Sequence, residues 1–248
     1  MGATMDIRSI ELNRGWGLFG HGWKNFTADP LTWVLVVVIF FLISLVLNLI
    51  PLLGGVLMAI ITPALMAGFL KIAHDIDQGH KVGVSHLFQP IQDQKRRVPL
   101  LLLGLVALLA TVLMAVVMAV FIGGAVQIGA TGESVRFPLA GVGFFGMFVI
   151  FMMYLVVFAI LAFSIPLVYF RDEELGDAIV ASIKGTLTNL GPLVIFSLIY
   201  FALAFLAMLP FGLGFLVLAP VVFAALYGAY SEIFPGSLEP EVLEAEEV

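Results

Sequence analysis

Residues 185–231 read GTLTNLGPLVIFSLIYFALAFLAMLPFGLGFLVLAPVVFAALYGAYS, 47 positions between Lys184 and Glu232 without one Asp, Glu, Lys or Arg. As a single helix, at about 1.5 Å per residue, the stretch would be roughly 70 Å long. That is more than twice the roughly 30 Å hydrocarbon thickness of a bilayer. Pro210-Phe-Gly212-Leu-Gly214 interrupts it near its middle, and Pro with Gly punctuates helices. The stretch therefore reads as two apolar helices folded back on each other across a membrane.

The same logic extends outward. Between Asp29 and Lys71 lies a second charge-free run of 41 residues, broken by Pro51-Leu-Leu-Gly54-Gly55. Runs of 35 residues after Arg97 and 34 residues before Arg171 each accommodate one span with length to spare for tilt. The expectation is an all-α membrane protein with six transmembrane helices in three hairpins, at about 31–50, 55–73, 98–124, 139–170, 192–209 and 213–230. Composition agrees. The chain is 62% hydrophobic and 11% charged, against about 45–50% and about 25% in soluble domains. With no cysteine, disulfides, thiolate metal sites and cysteine nucleophiles are excluded. The first apolar run is too long for a signal-peptide core, so it is expected to be a true span.

Basic residues set the expected orientation. Arg8, Arg14 and Lys24 precede the first span, Lys71, Lys81, Lys95, Arg96 and Arg97 follow the second, and Arg171 and Lys184 follow the fourth. Arg136 alone falls on the other side. Ten against one places both termini and the two larger loops in the cytoplasm. The six Glu between Glu232 and Val248 make residues 231–248 an acidic tail expected to be disordered.

Each pair of spans is preceded by an amphipathic segment. In residues 1–30, Leu12, Trp16, Phe19, Trp23 and Phe26 recur at spacings of 4, 3, 4 and 3, one face of a helix. Trp16, Phe19, Trp23 and Phe26, with Trp33 just beyond, are expected to anchor the chain at the headgroup zone. Arg14, His21, Lys24 and Asn25 lie off that stripe, and Gly15, Gly17, Gly20 and Gly22 lower its intrinsic helicity. Val84, Leu87, Phe88 and Ile91 repeat the pattern before span 3, and Ile179, Ile183, Leu187 and Leu190 before span 5. Lys95-Arg96-Arg97 reads first as a topology determinant. It is also the candidate contact for anionic lipid headgroups, at about 1 kcal/mol per charge near the surface.

An internal repeat is visible. Pro63 to Ile76 aligns with Pro220 to Ile233, matching Pro, Ala, Ile and the acid. Asp75-x3-Gly79-x5-Ser85 aligns with Asp172-x3-Gly176-x5-Ser182. The unit is an amphipathic segment, a proline (Pro30, Pro99, Pro192) and a helical hairpin, and its second helix carries a kink proline, Pro63, Pro166 or Pro220. Chance matching among prolines is the plainer alternative to a triplication.

No ionisable residue falls near the middle of a span, which removes the usual mark of a proton relay. Asn48, Thr62, Thr111, Tyr154, Ser164, Ser197 and Tyr200 are the polar groups within spans, read first as hydrogen bonding between or within helices. Ala64/Gly68, Ala115/Ala119, Ala119/Gly123 and Ala224/Gly228 are small pairs that permit close helix approach. His74, His80 and His86 share a loop with Asp75, Asp77 and Asp93, but a spacing of six does not place two histidines on one helix face as metal ligands. No nucleotide, hydrolase or zinc-protease motif occurs, and nothing supports nucleic-acid binding.

Three stretches carry a resemblance: Gly22-Trp23-Lys24-x5-Pro30-x2-Trp33; Ile50-Pro51-x2-Gly54 followed by Pro63-x4-Gly68; and Leu209-Pro210-x-Gly212-x-Gly214 ending in Tyr227-x2-Tyr230-x-Glu232-Ile233-Phe234. In these the chain resembles a family of uncharacterised, mostly proteobacterial, integral inner-membrane proteins. The resemblance implies a bacterial inner-membrane location and brings no activity, cofactor or catalytic residue. The functional expectation is a non-enzymatic membrane module that binds lipids or a membrane protein partner, including another copy of itself, without a cofactor. The alternative is a transporter or channel for an uncharged or amphipathic solute, which a polar crevice lined by Asn48, Ser164 and Tyr200 would favour. A membrane enzyme would need acids and histidines from different loops converging at the membrane face.

Overall fold

The computed structural model describes residues 6–126 and 139–235. Arg136, Pro138 and most of the acidic tail fall outside them. The described residues form nine α-helices and one short 3-10 turn: α1 (Arg14–Ala28), α2 (Pro30–Asn48), α3 (Leu53–Asp77), the turn Val84–Phe88, α4 (Gln89–Gln92), α5 (Arg97–Val126), α6 (Leu139–Arg171), α7 (Leu175–Thr188), α8 (Leu190–Met208) and α9 (Phe215–Ile233). Six of these, α2, α3, α5, α6, α8 and α9, are long and apolar enough to cross a membrane.

The helix ends have identifiable causes. Asp29 Oδ1 accepts a hydrogen bond from Thr32 N at 3.1 Å, and Pro30 occupies the first helical position of α2. Both are favoured helix starts. Asp172 ends α6 with φ 54°, the left-handed conformation that terminates many helices and that Asp tolerates. Two boundaries differ usefully from the expected spans. α3 continues to Asp77 and α9 to Ile233 because their last turns are held by polar partners on α1. Glu232 therefore belongs to a helix rather than to the acidic tail.

Consecutive long helices touch: α2 with α3, α5 with α6, and α8 with α9. α3 and α9 lie at the centre against each other, and the stacked rings of Phe69 and Phe223, 4.3 Å apart, mark their contact. Trp33 of α2 stacks on the other side of Phe69 at 6.3 Å. The buried side chains concentrate at one end of the bundle, the end that carries α1, the 3-10 turn, α4 and α7. They are Trp33, Val36 and Val37 on α2, most of the residues from Pro63 to Asp75 on α3, Leu100 and Leu103 on α5, Phe163 to Tyr169 on α6, Pro192, Leu193 and Phe196 on α8 and most of those from Leu218 to Ile233 on α9. The opposite halves are largely exposed, among them Phe41, Leu45, Leu109, Leu113, Phe148 and Phe205.

This asymmetry has a physical origin. Lipid is as apolar as leucine, so helices in it associate through small residues and interhelical hydrogen bonds rather than by hydrophobic burial. Most of both devices sit at the loop-bearing end, although Gly54 and Gly214 also make close contacts at the opposite turns. A Cβ on Gly68 would run into the Leu87 carbonyl, and one on Gly104 into that of Ile60. Ser182 Oγ of α7 donates to Ala159 O at 2.7 Å and accepts from Phe163 N at 3.0 Å. Of the expected small pairs, Ala64/Gly68 and Ala224/Gly228 are buried, whereas Ala115 and Ala119 are exposed. Gly123 lies where no side chain is described.

The amphipathic segments do more than lie beside the bundle. The 3-10 turn and α4 seat on α3, and α7 seats on α6, the long helix that each follows in the chain. Among the described residues no helix precedes α1, and it seats on α9. The three contacts thus close a ring. The proline register is less regular. Pro63 and Pro220 stand twelve residues before Asp75 and Glu232, while Pro166 stands six before Asp172. All three prolines lie inside helices.

The face of α1 also differs from the expected stripe. Gly15, Leu18, Phe19, Gly22, Asn25 and Phe26 are buried, while Leu12, Trp16 and Trp23 are exposed. The glycines form the contact itself, since a Cβ on Gly22 would run into the Val221 carbonyl of α9. Phe19, Phe26 and Trp33, expected at the lipid interface, are buried within the protein, Phe19 stacked on Phe196 at 4.6 Å.

Candidate functional site

The packed end is stitched by polar contacts between helices distant in sequence. Asn25, 2% exposed, is the centre of one group. Its Nδ2 donates to Ala73 O and to Asp77 Oδ1, both at 2.8 Å, and its Oδ1 accepts from Trp33 Nε1 at 3.1 Å. One side chain thereby joins α1, α2 and α3 with both amide hydrogens and the carbonyl used. His21 Nε2 lies 3.0 Å from Asp77 Oδ2, but too far out of line for a hydrogen bond.

Three acids at or near the ends of long helices meet bases. Arg14 of α1 forks onto the Glu232 carboxylate, its Nε 3.0 Å from Oε2 and its Nη2 close against Oε1. Asp75 takes Lys71 Nζ at 2.9 Å and faces His86 Nε2 at 3.6 Å. Asp172 receives Lys95 Nζ at 2.8 Å and Arg96 Nε at 2.7 Å. The hydrogen bond from Arg96 holds the Asp172 carboxyl below the usual carboxylate range, against the opposing effect of its partial burial. The same bond raises the Arg96 guanidinium. The pair therefore stays ionised through the neutral range. Arg96 also lies over the Tyr169 ring, 5.4 Å from its centroid.

The residues picked out for lipid headgroups thus divide. Lys95 and Arg96 are committed to Asp172, while Arg97 is exposed and forms no ion pair among the described residues. The three loop histidines do not converge either. His74 Nδ1 bonds Tyr227 Oη at 2.7 Å, His86 faces Asp75, and His80 borders a shallow cleft of about 400 Å³ with Asp29 and Lys81. Among the described residues no three histidines or acids are grouped to hold a metal ion.

The polar groups inside the spans are mostly spent on their own helices. Asn48 bonds Ser44 O, Thr62 bonds Met58 O, Thr111 bonds Ala107 O and Ser197 bonds Leu193 O. Ser164 bonds Ile160 O and reaches Ala178 O of α7. These back-bonds satisfy hydroxyls without presenting them to a solute. Asn48 and Ser164 also differ in setting, the first exposed and the second fully buried.

Tyr200, half-buried on α8 beside Phe201, has no hydrogen bond among the described residues, and Tyr154 is the other exception. It lines an apolar crevice of about 220 Å³ between α3, α6 and α9, walled by Leu70, Phe158, Ala162, Phe223 and Leu226 among others. One helical turn nearer the packed end, on α3 and α9, stand His74 and Tyr227, bonded to each other and ringed by Phe170. The crevice runs from Leu70 and Ile165, buried near the packed end, to the exposed Tyr154. It exceeds the roughly 150 Å³ apolar cavity that admits benzene. The crevice left no mark in the chain because three helices far apart in sequence build it. Asn25 was hidden because it shares a turn with charged Lys24.

No known protein family, curated protein or solved structure matches the chain.

Proposed function

We propose that this is a non-enzymatic module of a bacterial inner membrane, of the kind the sequence resembles, that binds lipid in the crevice between α3, α6 and α9. The observation that carries the reading is the crevice itself, apolar but for Tyr154 and bordered by half-buried side chains of three spans. Unfilled apolar space forfeits dispersion contacts, and in a membrane the filler at hand is an acyl chain. The exposed Trp16 and Trp23 of α1 add an interfacial anchor at the packed end. In this reading the long helices form three hairpins, and α1, the two larger loops and both termini face the cytoplasm, a placement that ten basic residues against one support.

Two measurements test it. In the first, Ala162→Trp fills the crevice at a half-buried position. The full chain is purified in mild detergent and its co-purifying lipid counted by native mass spectrometry. The wild type is expected to retain at least one lipid that the variant loses. Equal retention by the two proteins removes the lipid reading. In the second, orientation is read by an impermeant maleimide, helped by the absence of native cysteine. Phe211→Cys, in the fully exposed α8–α9 turn, is expected to label in intact spheroplasts, and His80→Cys only after lysis. The reverse pattern inverts the topology.

A further inference from the structure

Tyr154 narrows the chemistry of the occupant, and the argument rests on the lipid reading above. Among the residues lining the crevice it is the only one with a side-chain oxygen or nitrogen. Its side chain is 62% exposed, and no hydrogen bond to it is formed among the described residues. Seventeen residues separate it from Arg171 at the packed end, about 26 Å of helix. The phenol therefore lies near the far edge of a hydrocarbon layer about 30 Å thick. A hydroxyl there stands just below the headgroup zone, at the level of the lipid ester groups, where Tyr is enriched. The carbonyl that Pro166 frees, that of Ala162, lies eight residues along α6 from Tyr154, about 12 Å away, and the other lining side chains offer no oxygen.

Length and charge choose the partner. From Tyr154 to Ile165, the lining residue of α6 nearest the packed end, the wall measures about 16 Å. That is the depth of one leaflet, half the hydrocarbon thickness. An acyl chain laid along it from the far leaflet would end beside Ile165 and bring its carbonyl to the level of Tyr154. No Lys or Arg lines the crevice, so an ionised fatty-acid carboxylate would stand uncompensated in a region of low dielectric. A neutral ester would not. We propose that the crevice holds one acyl chain of a glycerolipid from the leaflet opposite α1, with Tyr154 Oη donating a hydrogen bond to its ester carbonyl.

The test compares diester and diether phosphatidylcholine of equal chain length. Each is added to the delipidated full chain, and lipid retained after detergent exchange is counted by native mass spectrometry. The wild type is expected to hold the diester about five-fold better, the ratio one neutral hydrogen bond supplies. Tyr154→Phe should abolish that preference while still binding both lipids, and Ala162→Trp should weaken both. Equal binding of diester and diether by the wild type overturns the ester contact. If Ala162→Trp still lowers both, the lipid reading itself survives. Indifference to Ala162→Trp removes the reading and the contact together. Displacement of the diester by equimolar palmitate overturns the choice of a glycerolipid.

Discussion

Asn25→Leu is expected to lower the stability of the bundle by about 3–5 kcal/mol. The side chains are similar in size, so little volume is lost, but three polar groups lose their partner. Trp33 Nε1 is fully buried and donates only to Asn25 Oδ1. Ala73 O and Asp77 Oδ1 each receive one of the two amide hydrogens. An orphaned buried polar group costs about 1–3 kcal/mol, and the effects here share a centre and need not add fully. In thermal unfolding of the solubilised protein this corresponds to a fall of roughly 10 °C for a chain of this size. Asn48→Leu is the control. Asn48 is exposed and bonds only Ser44 O of its own helix, so its loss should stay within about 0.5 kcal/mol. Equal melting of the two variants would show that the α1–α2–α3 junction carries no special weight.

The second large effect belongs to Gly22→Val. Any side chain at Gly22 meets the Val221 carbonyl and the Ala225 methyl of α9, both backed by a packed helix that cannot yield locally. Overpacking of this kind typically costs about 1–3 kcal/mol. Here the strain is relieved by lifting α1 away, which also loosens the Arg14–Glu232 fork and the bond from Arg8 N to Ile233 O, 2.8 Å long. Limited proteolysis within α1 should accelerate about ten-fold or more. Gly20→Val provides the comparison within the same helix. Nothing lies within 4 Å of a Cβ there, and Val is a slightly better helix former than Gly. That variant should therefore resist protease as the wild type does. Similar cleavage of both variants would mean that α1 is not held by the close backbone contact.

Much of the fold could be read from where charge is absent. Charged side chains are expensive in lipid, so the runs between Asp29 and Lys71 and between Lys184 and Glu232 located four spans and their turns closely. Helix ends were harder, because the last turns of α3 and α9 carry acids that look like loop until their partners on α1 are known. The face of α1 was misplaced by one position for a related reason. In a helix that touches both lipid and protein, large apolar residues such as Trp16 and Trp23 are free to face lipid, while glycines admit a neighbouring backbone. A pattern of hydrophobicity alone points toward the first and away from the second. Of the crevice, only Tyr154 was legible, as one polar group among several. Its apolar walls resemble every other lipid-facing surface until α3, α6 and α9 are placed side by side.

The seating of α1 on α9 bears on how the protein is made. α1 leaves the ribosome before the six spans described, yet its docking surface, α9, begins only at Phe215. At translation rates of about 5–20 residues per second, the intervening stretch of roughly 200 residues takes on the order of 10–40 s. During that interval the glycine-lined side of α1 lacks α9 to close upon, and only a chain that includes α9 can latch it. Protection of the first helix is thus a readout of the last. A chain interrupted before α9 would announce its own incompleteness to the cell's proteases at the end that was made first.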